Sequence, residues 1–368
     1  MQICRPHIFN FTLKAIALWL AVGVCSCSKG TLGPDTPQGG VEGDVPLVFA
    51  PLVDWGVKSN ALINSGTDLQ SYSISLLANA TRGNDISPVF RNHRMDYTSG
   101  AWGYGTTKYW ISGAKYSFAA FAPFAPTSNS AAGTKNTISN GTINISGTDE
   151  NPVLTVTGYN TGKVSTGSPQ FDARSEDLLG AQYVRDNSSA NDYSTVSLNF
   201  EHLLSCIDFK IRNATSTDIT TVSNITLTGI KYKCDIEVNP SGAAIAQVYD
   251  DVISAGANEY FISGVRSASG GETSFLPKGM SETEYKPLFD CTDLTLLPQD
   301  LYGKTINLTF TVNYSGGGSN NYILRIGEIE TIRSWAKGKK YSYKMTITSK
   351  DILFQVVEVP WIEHNIEL

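Results

Sequence analysis

Ile306-Asn-Leu-Thr-Phe-Thr-Val312 alternates an apolar residue with Asn or Thr at every step. Period two marks a strand with one face on a core and the other in water. Tyr341-Ser-Tyr-Lys-Met-Thr-Ile347, Val196-Ser-Leu-Asn-Phe200 and Ile207-Asp-Phe-Lys-Ile211 repeat the pattern. Val45-Pro-Leu-Val-Phe49, Tyr116-Ser-Phe-Ala-Ala-Phe121, Val153-Leu-Thr-Val156 and Ile352-Leu-Phe-Gln-Val-Val-Glu-Val359 are further strand candidates. Ser315-Gly-Gly-Gly-Ser-Asn320 lies between two of these segments and predicts a hairpin loop, where Gly tolerates positive φ. Helical signals are confined to one or two turns in residues 250–258 and another in residues 330–335. Many strands and few helices predict an all-β chain layered as β-sandwiches.

Composition narrows the function. The chain has 368 residues, a formal charge of −6 and only 17% charged residues. A soluble protein usually has about a quarter, so Ser, Thr and Asn must supply the surface polarity. Nucleic-acid binding is excluded, because it needs a cationic face. With 15 Phe, 17 Tyr and 6 Trp there is ample apolar area for a core, which argues against disorder. A sandwich uses roughly 100–150 residues, so two in series are expected. The polar stretch Arg185-Asp-Asn-Ser-Ser-Ala-Asn-Asp192 is the expected boundary, giving units of residues 45–190 and 191–368.

The N-terminus reads as an export signal. Arg5 and Lys14 flank the apolar run Ala15-Ile-Ala-Leu-Trp-Leu-Ala-Val-Gly-Val24. Ten helical residues rise about 15 Å, half of the ~30 Å hydrocarbon core, so this run is a signal peptide and not a span. Cys25-Ser-Cys27-Ser-Lys follows and resembles a bacterial lipoprotein cleavage box. Cys27, preceded by small Ser26, is the expected acceptor, so residues 1–26 are removed. That leaves 26 Lys and Arg against 34 Asp and Glu, a charge of −8. Several acyl chains on Cys27 would give stable anchoring where one chain holds only marginally. Residues 27–44, rich in Gly and Pro, read as a flexible tether.

No catalytic constellation is evident, so a non-enzyme is expected, with no cofactor and no metal. Among the later histidines, His202 sits beside Leu203 and Leu204 as a structural residue, His93 lies in a polar cluster with Arg91 and Arg94, and His364 is in the tail. No HExxH, GxSxG, P-loop or dinucleotide fingerprint occurs. Cys206, in an apolar run, reads as a small core residue; a Cys234–Cys291 disulfide is open in an oxidising compartment. One alternative is a surface glycan-binding lipoprotein that does not polymerise. Trp55, Trp102, Tyr104, Tyr109 and Trp110 would supply its stacking platform.

Several short motifs together resemble the fimbrillin-like proteins of Bacteroidales, the subunits of type V pili. They are the Ser-Cys-Ser-Lys start, Gly56-Val-Lys-Ser-Asn-Ala61 and Trp110-Ile-Ser-Gly-Ala-Lys-Tyr-Ser-Phe-Ala-Ala-Phe-Ala-Pro123, then Asp177-Leu-Leu-Gly-Ala181 and Val196-Ser-Leu-Asn-Phe-Glu-His-Leu-Leu-Ser205. Trp335-Ala-Lys-Gly-Lys-Lys-Tyr-Ser-Tyr343 and Val357-Glu-Val-Pro-Trp361 complete the set. The resemblance implies two transthyretin-like β-sandwiches, exported as an outer-membrane lipoprotein to the cell surface and its fimbriae. A protease would remove the first strand, residues 45–53, and another pilin subunit would fill the groove by β-strand addition. Lys58 stands where many relatives carry Arg, and Arg82 in Ala80-Thr-Arg-Gly is a second processing candidate. Implied partners are other pilin subunits, the outer membrane through the lipid, and a host or bacterial surface glycan or protein. Only residues 362–368 follow Trp361, about 23 Å when extended. So short a tail suits a tip or accessory subunit unless residues 352–368 detach to act as donor.

Overall fold

The structure, a computed structural model, describes residues 45–53, 63, 66–124, 142–147, 152–161, 177–231, 233–238, 246–248, 259–261, 265–289, 293–349 and 351–360. Cys27, Lys58, Trp55, Cys291, His364, the signal peptide, the tether and the expected helical turn at 250–258 lie outside them. Nearly all of the structure is β. In chain order the first strands are β1 (Phe49–Val53), β2 (Ile74–Arg82), β3 (Asp85–Thr98), β4 (Ala101–Gly103), β5 (Lys115–Ala122), β6 (Thr142–Gly147), β7 (Pro152–Asn160), β8 (Leu179–Asp186) and β9 (Val196–His202). Next come β10 (Ser205–Asn213), β11 (Ile219–Thr228), β12 (Lys233–Val238), β13 (Ala246–Val248), β14 (Glu259–Phe261), β15 (Arg266–Ser267), β16 (Lys286–Pro287) and β17 (Leu294–Leu296). The last are β18 (Gln299–Asp300), β19 (Asn307–Tyr314), β20 (Ser319–Arg325), β21 (Ser334–Trp335), β22 (Lys339–Ile347) and β23 (Ile352–Pro360).

A seven-stranded sheet runs β1-β9-β8-β5-β2-β3-β4. Its strands β2 and β5 are buried on both faces. Leu76, Ala78, Phe118 and Ala120 face one apolar cluster with Phe49 and Phe90. Leu77, Ala119 and Phe121 face another, against Leu154 and Val156 of β7 and Ile236 and Val238 of β12. Burial on both sides explains why the chain reads as a continuous apolar run here and not as an alternation. The opposing sheet, β13-β12-β7-β6, pairs residues from before and after position 190.

A third core lies between the sheets β16-β10-β22-β23 and β14-β11-β19-β20. Here the alternating segments behave as read. Ile306, Leu308, Phe310 and Val312 are buried, as are Tyr341, Tyr343, Met345 and Ile347. The Gly run forms the β19–β20 hairpin, with Gly317 and Gly318 at φ 85° and 87°.

Some expectations need correcting. Residues 330–335 are not helical: a turn at 330–331 leads into β21, and the short 3-10 turn is Ile326–Glu328. Ile329, Ile332 and Trp335 are all buried, so their spacing of three comes from an irregular connection pressed on the core. Asp208, expected to face water, is 1% exposed. Lys210 Nζ pairs with its Oδ2 at 2.6 Å and the Ser342 hydroxyl donates to the same oxygen. Burial pushes its carboxyl above the usual range, with Lys210 opposing. The polar stretch 185–192 connects β8 to β9 within one sheet. There Asn187, 1% exposed, exchanges hydrogen bonds with the Asp192 backbone.

Candidate functional site

Residues 45–53 fill a gap between two backbone edges. The first part pairs antiparallel with residues 108–110: Trp110 N–H donates to Val45 O (3.0 Å), and Leu47 N–H donates to Lys108 O (2.8 Å). The Tyr104 hydroxyl donates to Leu47 O at 2.8 Å. Burial raises that phenol's pKa, so it stays a donor. The second part turns to the other edge. Val196 N–H donates to Val48 O (2.7 Å), and β1 then runs parallel to β9, from Phe49 opposite Val196 to Val53 opposite Phe200.

Side chains alternate along this segment as its sequence predicts. Leu47 and Phe49 are 2% and 4% exposed and Pro51 is buried, whereas Val48 is 49% exposed. The Phe49 ring meets Phe90, Tyr104 and Phe118 edge-on at 5.8, 5.6 and 5.8 Å. Each such buried side chain contributes about 1.5–3 kcal/mol, so the segment is held by two apolar anchors as well as by backbone bonds.

The edge at 108–110 is itself braced. Trp110 packs edge-on to Tyr116 at 4.7 Å, and the Arg185 guanidinium lies 5.2 Å from the Trp110 ring. Arg185 donates to the carbonyls of Ser194 and Thr195, fixing the β8–β9 loop against the same ring. The Tyr116 hydroxyl accepts from Ile111 N–H, and burial pushes its pKa up to about 12.

Downstream of β1 the chain is caught again at Ile63. Its N–H donates to Asp177 Oδ2 at 3.1 Å, and His202 Nδ1 lies 3.0 Å from that oxygen. The Asp177 and His202 side chains are 0% and 3% exposed. His202 is thus a hydrogen-bonded structural residue, as read from its neighbours. Lys58, between the two anchored points in sequence, lies outside the described residues, as does Cys27. Arg82 is exposed, opposite Asp85 at the two-residue β2–β3 turn, with Gly83 at φ 60°. A cut there would take the central strand β2, paired to β3 and β5, along with residues 45–53.

Among the described residues, the four aromatics of the glycan alternative's platform do not assemble as an exposed surface. Tyr104 and Trp110 are core residues at 8% exposure, Trp102 is half-buried edge-on to Tyr97, and of these four Tyr109 alone is open, at 47%. Cys206 and Cys234 carry buried free thiols, which burial holds above the ordinary range, Cys234 at about 12. Sequence reading missed the 108–110 edge, the Tyr104 clamp and the Asp177 anchor. Nothing local marks them, because each is a contact between residues 57 to 114 positions apart.

At the other end of the chain, β23 is the edge of its sheet and pairs antiparallel with β22 over nine positions. Leu353 and Phe354 are 61% and 48% exposed, and Ile352 and Val356 are only partly buried.

The sequence profile of the fimbrillin-like family matches residues 63–361. No curated protein matches the chain. Among solved structures, a fimbrial protein from Bacteroides vulgatus aligns with TM-score 0.54 at 16% identity, covering 86% of this chain and 99% of that one. A candidate cell adhesion protein from Bacteroides uniformis aligns with TM-score 0.46 at 16% identity, over 86% and 100% of the two chains. A fimbrial assembly protein from Parabacteroides distasonis gives TM-score 0.34 at 12% identity, over 86% and 100%. The profile match covers most of the sequence and takes in the braced edge at 108–110, the Asp177 anchor and β23, and on that ground the chain belongs to the fimbrillin-like family.

Proposed function

We propose that this protein is a structural and adhesive subunit of surface fimbriae, assembled by strand addition and without catalytic activity. In this reading it reaches the outer membrane as a lipoprotein acylated at Cys27, and residues 27–44 tether two tandem sandwiches, the first of which draws β9, β12 and β13 from beyond residue 190. Cleavage after Lys58 frees residues 45–53, and a ribbon from another pilin subunit takes their place. A tip or accessory position is part of this reading.

The observation that carries this reading is the double anchorage of residues 45–53. Their removal would leave unpaired N–H and C=O groups on two edges, together with an apolar slot that held Leu47 and Phe49. Unsatisfied edges of that kind pair with an extended chain, and the slot selects its alternate side chains. The apolar, largely exposed β23 is the donor this chain could offer in turn.

N-terminal sequencing of the protein in sheared surface appendages tests the proposal. A start at Ser59, with SDS-resistant ladders that appear only after proteolysis, is the expected result. A start at Cys27 in polymerised material would overturn it.

A further inference from the structure

The outer face of the sheet β14-β11-β19-β20 carries a shallow depression of about 250 Å³. Five outward side chains line it: Asn224, Thr309, Thr311, Asn321 and Ile323. A bulge in β11 shapes it, where the register shifts between Ser223 and Thr226 and Asn224 adopts φ 51°. An asparagine accepts that left-handed backbone more readily than most residues. Strained positions held by their surroundings concentrate at binding sites.

The polar groups form a directed relay. Asn224 Nδ2 donates to Thr311 Oγ1 at 3.2 Å, and Thr311 Oγ1 donates to Asn321 Oδ1 at 2.8 Å. That order leaves the Asn224 carbonyl as an acceptor and the Asn321 amide as a donor, both on exposed residues. Beside them Ile323 is 41% exposed and offers an apolar surface. The lining contains no Lys, Arg, Asp or Glu. The nearest charge along β20, Arg325, lies 3.7 Å from Glu328.

We infer that this depression is a binding site for a neutral saccharide. A pyranose ring presents hydroxyls that both donate and accept, and a C–H face that packs on an apolar side chain; the depression offers the complement of each. An anionic ligand would find no counter-charge there. The volume falls below the ~300–1,000 Å³ of enclosed drug-sized sites, so the site suits one ring of a longer glycan. The inference supplies a ligand class for the adhesive role proposed above and rests on that reading.

The full chain is tested on an array of neutral, sialylated and sulfated oligosaccharides, followed by calorimetry with the best neutral binder and with sialyllactose. Asn224→Gly keeps the left-handed backbone while removing the amide, and Asn321→Ala removes the donor. Each is expected to weaken neutral-glycan binding about tenfold, the loss of one or two hydrogen bonds. Binding should be unchanged between low and high salt, since no charge pair is formed. Preference for the sialylated or sulfated glycans, no neutral binder on the array, or a neutral binder unaffected by both substitutions would overturn the inference. Both variants are expected to form the same proteolysis-dependent ladders as the parent protein, so failure of strand addition would be seen separately.

Discussion

Residues 45–53 and β23 are both short, apolar and at the edge of a sheet, yet they are held by opposite means. The first makes few backbone bonds to each of two edges and buries Leu47 and Phe49 almost completely. The second makes a nine-position ladder with one neighbour and leaves Leu353 and Phe354 in water. Side chains lock the one; a long backbone ladder, with Ile352 and Val356 only partly buried against the core, holds the other. A strand held by side chains leaves a shaped slot when it goes, whereas one held chiefly by its backbone leaves behind mainly an unpaired edge.

The sharpest break of this contrast is Phe49→Ala. Emptying a site ringed by Phe90, Tyr104 and Phe118 should cost about 3–5 kcal/mol in denaturant unfolding. A cost under ~1 kcal/mol would mean the slot collapses readily and selects nothing. His202→Ala comes next. It leaves the buried Asp177 carboxylate without its imidazole, for an expected loss of about 1–3 kcal/mol and faster hydrogen exchange at the Ile63 amide. Tyr104→Phe removes one hydrogen bond to the Leu47 carbonyl and should lower stability by about 0.5–1.5 kcal/mol. Smallest of all is Phe354→Ser in β23, expected within about 0.5 kcal/mol of the parent. A loss as large as that for Phe49 would erase the contrast between the two edges.

The strands with one wet face were legible in the sequence. β9, β19 and β22 alternate as their residues do, because one side of each meets a core and the other meets solvent or short polar side chains. β10 alternates too, but Asp208 on its second face is covered, a tertiary event that leaves no local trace. The candidate site was half legible. Val45-Pro-Leu-Val-Phe49 was readable as a strand; the partner edges were not. Pairing with β9 joins residues nearly 150 positions apart in parallel, and no turn links them to fix a register. The polar stretch 185–192 has the composition of a linker, yet Arg185 and Asn187 turn it into a braced loop between neighbouring strands.

The segment at 45–53 has a direction as well as a shape: it runs parallel to β9 and antiparallel to residues 108–110. Any substitute that reproduces both sets of bonds must thread the gap with the same N-to-C sense. In the proposed assembly, copies joined in that way would all point alike, so the fibre would have a distinct head and tail.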